Sequence, residues 1–221
     1  MAKAIFHFEV PAIGIIRGID PDFFEELMAV SFAGGLQFLE ITMNTRGAAD
    51  IVSRCRSMVP DGKWLGMGTV RDLEEAKIAV DAGAMFMVTP NTDPAVIEFG
   101  RAKNIPVIAG AFTPTEVYKA WTAGAEMVKV FPCSVGGPNY IRELSGPFDQ
   151  IPMVAVGGVG LANLHDYFKA GAVGVGVSSA LFGKDALASQ DRELIGNNVR
   201  DFVRILMEDI HDQSRLGKKD L

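Results

Sequence analysis

With only two cysteines in 221 residues, Cys55 and Cys133, the chain has too few for a disulfide framework. Three scattered histidines, His7, His165 and His211, form no ligand pattern for zinc. A basic surplus is also missing: 21 Lys and Arg stand against 27 Asp and Glu, a net charge of −6, with no basic block anywhere. That balance argues against nucleic acid and acidic membrane surfaces as partners. No apolar run reaches the length of a membrane span. The opening "MAKAIFHFEVPAIGIIRG" is interrupted by Glu9 and Pro11, unlike the apolar core of a signal peptide. These shortages predict a cytoplasmic protein that works without a metal.

What the chain does have is apolar material, 48% of its residues, enough for a sizeable core. No linker, low-complexity tract or charge block divides it, so one domain is expected over residues 1–221, with a polar tail from about residue 212. Short β-branched runs alternate with helix-period segments, as βα units around a parallel sheet require. Strand candidates are 12–17, 36–42, 64–69, 84–89, 105–110, 126–131, 153–158 and 172–177.

A repeat fixes the count. "FAGGLQFLE", "DAGAMFMVT", "TAGAEMVKV" and "KAGAVGVGV" each place Ala-Gly between a helix end and a strand, and Gly34, Gly83, Gly124 and Gly171 suit left-handed helix C-caps. Their spacings of 49, 41 and 47 residues correspond to two βα units each. Four double units make eight strands, predicting an α/β fold in the form of a single (β/α)8 TIM barrel whose site lies at the C-terminal strand ends. An open doubly wound sheet is the alternative.

Polar residues collect at those ends. Strand parity puts Arg17 on one face with Ile13 and Ile15, Glu40 with Phe38 and Thr42, and Lys129 with Met127 and Phe131. If these faces point inward, Arg17, Glu40 and Lys129 converge above an apolar floor. Lys129, alone in "EMVKVFPCS", has two readings. It either lifts its ammonium to solvent or pairs with Glu40, or burial lowers its pKa until a free amine can attack a ketone. Glu40 is then either a counter-charge or the group that moves protons during imine formation and aldol cleavage. "AVGGVGLANL" and "VGVSSALFG" set Gly157, Gly158, Ser178 and Ser179 after strands seven and eight, where a barrel can hold a phosphate. Cys133 has no neighbouring basic residue to activate it and reads as a bystander.

The set "FLEIT", "GMGTV", "VTPN", "VKVFPCS", "GPNYI", "SGPF" and "AVGGV", running in order from about Pro11 to Leu187, resembles the class I aldolases of the 2-keto-3-deoxy-6-phosphogluconate and 4-hydroxy-2-oxoglutarate family. The resemblance implies Lys129 as the Schiff-base lysine and Glu40 as the general acid/base. Thr69, Pro90 and Phe131 match positions around the pyruvyl group, and the four phosphate-end residues fall on that family's phosphate-binding turns. It also implies a homotrimer, no metal or other cofactor, and a small 2-oxo acid sugar phosphate as substrate.

Two departures bear on which one. Asn44 stands where the gluconate enzymes typically carry the carboxylate-binding arginine, leaving Arg17 for that role, and Val156 replaces the threonine before Gly157-Gly158. Both resemble the phosphogalactonate branch. Cleavage to pyruvate and glyceraldehyde 3-phosphate is the expected reaction, with 4-hydroxy-2-oxoglutarate, giving pyruvate and glyoxylate, as a further candidate substrate. A phosphate-binding epimerase or isomerase, with Lys129 and Glu40 as a proton-transfer pair, and a non-catalytic sugar-phosphate sensor are the rival readings.

Overall fold

The computed structural model describes residues 8–216, with side chains through residue 211. Eight strands follow one another: β1 (Ala12–Ile16), β2 (Phe38–Thr42), β3 (Trp64–Gly68), β4 (Met87–Val88), β5 (Val107–Ala111), β6 (Met127–Val130), β7 (Met153–Val156) and β8 (Gly174–Val177). Each pairs in parallel with the next, and β8 pairs with β1, closing the barrel predicted from the repeat. The expected strand 84–89 is much shorter than foreseen, with only Met87 and Val88 in the ladder.

Helices fill the intervals: α1 (Phe24–Ala33), α2 (Ala48–Cys55), α3 (Leu73–Asp81), α4 (Pro94–Ala102), α5 (Pro114–Ala123), α6 (Cys133–Ser145, broken at Gly137), α7 (Leu164–Lys169), α8 (Ser179–Phe182), α9 (Lys184–Ser189) and α10 (Arg192–Leu216). Local chemistry starts several of them. Asp72 and Asp93 accept N-terminal amides of α3 and α4, and Thr113 forms a reciprocal capping box with Glu116 at α5. Period-2 alternation then divides the apolar residues into two cores. Ile13, Phe38, Phe86, Ile108, Met127 and Val154 fill the barrel interior, whereas Leu39, Ile41, Val128 and Val130 face outward into the layer beneath the helices.

Three of the four predicted caps are left-handed: Gly83 at φ 89°, Gly124 at 101° and Gly171 at 106°. Gly34 is not. Its φ is −72°, and the left-handed residue is Gly35 at 101°. The missing side chain at Gly34 serves packing instead, because a Cβ there would lie 2.9 Å from Val199 Cγ1 of α10.

The tail expected from about residue 212 begins within α10, whose backbone runs to Leu216, and its remainder lies outside the described residues. Among the described residues, no helix is long and apolar enough to cross a membrane.

Candidate active site

Pairing in register carries the three charges to one end of the barrel. Ile15 of β1 pairs with Glu40 of β2, Glu40 with Gly66 of β3, and Gly110 of β5 with Lys129 of β6. Arg17, one residue past the end of β1, lies on the same face as Ile15. All eleven residues singled out in the sequence line a single cavity of about 630 Å³ at the C-terminal strand ends. Arg17, Glu40, Thr69, Pro90, Lys129 and Phe131 form one part of its wall. Val156, Gly157, Gly158, Ser178 and Ser179 form another. Asn44 is exposed and does not line it.

Lys129 is 6% exposed and Glu40 1%. Burial dominates both titrations. It pushes the Glu40 carboxyl up to about 7, against the opposing pull of Lys129 and then Arg17. The same desolvation lowers the Lys129 ammonium, with Glu40 raising it and Arg17 lowering it further. Glu40 Oε2 has no hydrogen-bond partner among the described residues, so it is a buried acceptor still open to a ligand. Lys129 Nζ stands 4.9 Å from the centroid of the ring of Phe131, a residue that is 37% exposed.

Backbone detail shapes the rest. Thr69 is left-handed at φ 55°, an uncommon state for a β-branched residue that costs about 1–3 kcal/mol. Its hydroxyl accepts a bond from Arg17 Nη2 at 3.3 Å. Gly68, immediately before it, is a residue that strand patterning does not single out. A Cβ there would stand 2.2 Å from Glu40 Oε1, so the carboxyl occupies space that any larger residue would take.

At the other end, Gly157 and Gly158 are both left-handed, at 99° and 77°. They do not lead straight into a helix, because α7 starts only at Leu164. Asn163 bridges the gap: its Oδ1 accepts from the Gly160 amide at 2.9 Å and its Nδ2 donates to the Gly158 carbonyl at 2.9 Å. Asn163 is thus a second residue missed in the sequence, where asparagine before a helix signals only a cap.

Cys133 is buried, its thiol donates to the Val130 carbonyl at 3.1 Å, and burial pushes its pKa up to about 11. A thiol so held is a poor nucleophile near neutral pH.

The arrangement matches known proteins. The KDPG and KHG aldolase family description fits residues 9–198. A probable 2-dehydro-3-deoxy-6-phosphogalactonate aldolase of Rhizobium meliloti (strain 1021) is 34% identical over 175 residues, 79% of this chain and 82% of that one. A solved structure described as native KDPGal is 30% identical and superposes with a TM-score of 0.87 over 93% of this chain and 98% of its own. The KDPG aldolase of Legionella pneumophila, solved with pyruvate captured as a covalent carbinolamine, is 26% identical with a TM-score of 0.81, covering 87% of this chain and 94% of that one. The extent of these matches and the closed barrel they share place the chain in the KDPG and KHG aldolase family.

Proposed function

We propose that this chain is a class I aldolase that cleaves a 2-keto-3-deoxy-6-phospho sugar acid to pyruvate and glyceraldehyde 3-phosphate through an imine on Lys129. The observation that carries this reading is the pair of buried, oppositely shifted groups, Lys129 and Glu40, facing one cavity. A lowered ammonium supplies free amine, and a carboxyl near 7 exchanges protons in either direction at neutral pH. The carbinolamine of the Legionella relative supports the same covalent chemistry.

In this mechanism the Lys129 amine attacks the C2 ketone, and the resulting carbinolamine loses its oxygen as water with a proton moved by Glu40. The product is an iminium ion. Glu40 then takes the proton of the C4 hydroxyl, the C3–C4 bond breaks, and its electron pair moves toward the iminium. Aldehyde departs and an enamine remains. Protonation of that enamine at C3 by Glu40, then hydrolysis, releases pyruvate and restores the amine.

Arg17, held by Thr69, is suited to the substrate carboxylate because a guanidinium can bind it through two parallel hydrogen bonds. The glycine turn and the two serine hydroxyls supply neutral donors for the terminal phosphate. Val156, 6% exposed, sits beside that turn and can neither donate nor accept a bond to the C4 hydroxyl. Losing a neutral hydrogen bond shifts selectivity by only about 0.5–1.5 kcal/mol, roughly two- to tenfold. Both C4 epimers are therefore expected to be cleaved, with a modest shift toward galactonate. Specificity constants for both epimers and for 4-hydroxy-2-oxoglutarate, in wild type and Val156→Thr, test this. A strong preference for gluconate that the threonine leaves unchanged would contradict it.

A homotrimer fits the same reading. On α5, Tyr118 is 55% exposed and stacks on Phe148 with ring centroids 6.1 Å apart, leaving an apolar face suited to a second copy. Light scattering is expected to give three times the chain mass. A single species at the monomer mass would rule the trimer out.

A further inference from the structure

Ser178 follows β8 as the N-cap of α8, a single helical turn that Ser179 opens. The amides of Leu181 and Phe182 bond to the Ser178 carbonyl at 2.9 and 3.1 Å, and the Gly183 amide bonds to that of Ser179 at 3.0 Å. The two serines therefore move with this turn. Its far end is fixed at two points. The fully buried Phe182 ring reaches β1, where a Cβ on Gly14 would lie 2.8 Å from its Cζ. The Phe182 carbonyl, one of the terminal acceptors a helix leaves unpaired, takes a hydrogen bond from Asn198 Nδ2 of α10 at 2.9 Å. Gly183 interlocks with that amide: its φ is 84°, and a Cβ would stand 2.4 Å from Asn198 Nδ2.

A second hollow, of about 410 Å³, lies behind the turn, with Ala180, Leu181, Gly183, Asn198 and Phe202 in its lining. Ala180 also lines the substrate cavity, so α8 is a thin wall between two open spaces. Asn198 lines the rear hollow and not the substrate cavity, so its hydrogen bond to the Phe182 carbonyl holds the turn from behind.

We propose that Asn198 is a positioning residue: by holding the Phe182 carbonyl it sets where Ser178 and Ser179 stand, and so governs the preference for phosphorylated over unphosphorylated substrate. The inference rests on the reading of these serines as phosphate-binding. Asn198 lies outside the cavity, so the chemistry at Lys129 should not depend on it.

Asn198→Ala and Asn198→Asp, the latter similar in shape but without the donor, are expected to raise KM for the phosphorylated sugar acid about three- to tenfold, the scale of one lost hydrogen bond. Competitive inhibition by inorganic phosphate should weaken by a similar factor. In both variants kcat and the specificity constant for 4-hydroxy-2-oxoglutarate should stay at wild-type values. Should Asn198→Ala fail to fold, Asn198→Asp, which preserves volume, carries the comparison. Equal losses on both substrates, or a wild-type KM in Asn198→Asp, overturn the proposal. If wild type favours the phosphorylated substrate and the variants do so equally, Asn198 loses its role while the phosphate reading stands. If wild type itself shows no such preference and no inhibition by phosphate, both fail.

Discussion

In Lys129→Ala, cleavage is expected to fall by about 10⁴-fold or more, the scale of removing a nucleophile from a concerted unit. Borohydride reduction in the presence of pyruvate should leave this variant at its unmodified mass, whereas wild type gains one reduced pyruvyl group on Lys129. The site favours such selectivity because Lys129 both lines the cavity and has its ammonium lowered by desolvation, whereas Lys63, which burial also lowers, does not line it. An adduct on a different lysine, with cleavage retained in Lys129→Ala, would defeat the mechanism. No adduct in wild type would point to the epimerase or sensor reading, since neither forms an imine with pyruvate.

Glu40→Gln should reduce turnover about a hundredfold or more, the usual contribution of a positioned acid or base, with the fold preserved because glutamine has nearly the same shape. The pH profile gives the sharper reading. With its pKa pushed up to about 7, Glu40 is mainly the neutral acid below that value and mainly carboxylate above it. Only the carboxylate can accept the C4 hydroxyl proton, so wild-type cleavage should rise as pH increases through about 7. Glutamine cannot titrate, and this limb should vanish. Because the Glu40 charge raises Lys129, its removal should leave the amine more available, yet pyruvate trapping should be slower, since Glu40 no longer moves the proton that dehydrates the carbinolamine, while the adduct still forms on Lys129. A near-normal turnover in Glu40→Gln would reduce the carboxyl to a counter-charge.

The convergence of Arg17, Glu40 and Lys129 is legible from the chain because a strand's period of two makes facing a matter of counting. Parallel register then brings the counted positions to one level. Helix caps are nearly as legible, yet "AGG" misleads: Gly34 is bare for the sake of Val199, more than 160 residues away, and no local pattern records that contact. Gly68 has the same character, as its reason is the Glu40 carboxyl on the neighbouring strand. Asn163 and Asn198 are the least legible, since each acts by bonding to backbone groups, and a backbone carbonyl looks alike in every sequence. The strand at 84–89 is overcalled for a related reason: apolar, β-forming residues continue on both sides of Met87 and Val88, while the ladder is limited by what its neighbours can pair.

Barrel closure has a consequence during synthesis. Ala12 pairs with Val175, so one edge of the sheet waits for a partner 163 residues further along the chain. At translation rates of about 5–20 residues per second, that is roughly eight to thirty seconds in which the open edge of β1 is available to other chains. Asn198 emerges later still, after every strand has left the ribosome. A nascent chain can therefore own a complete ring of strands before it owns the anchor of its last turn.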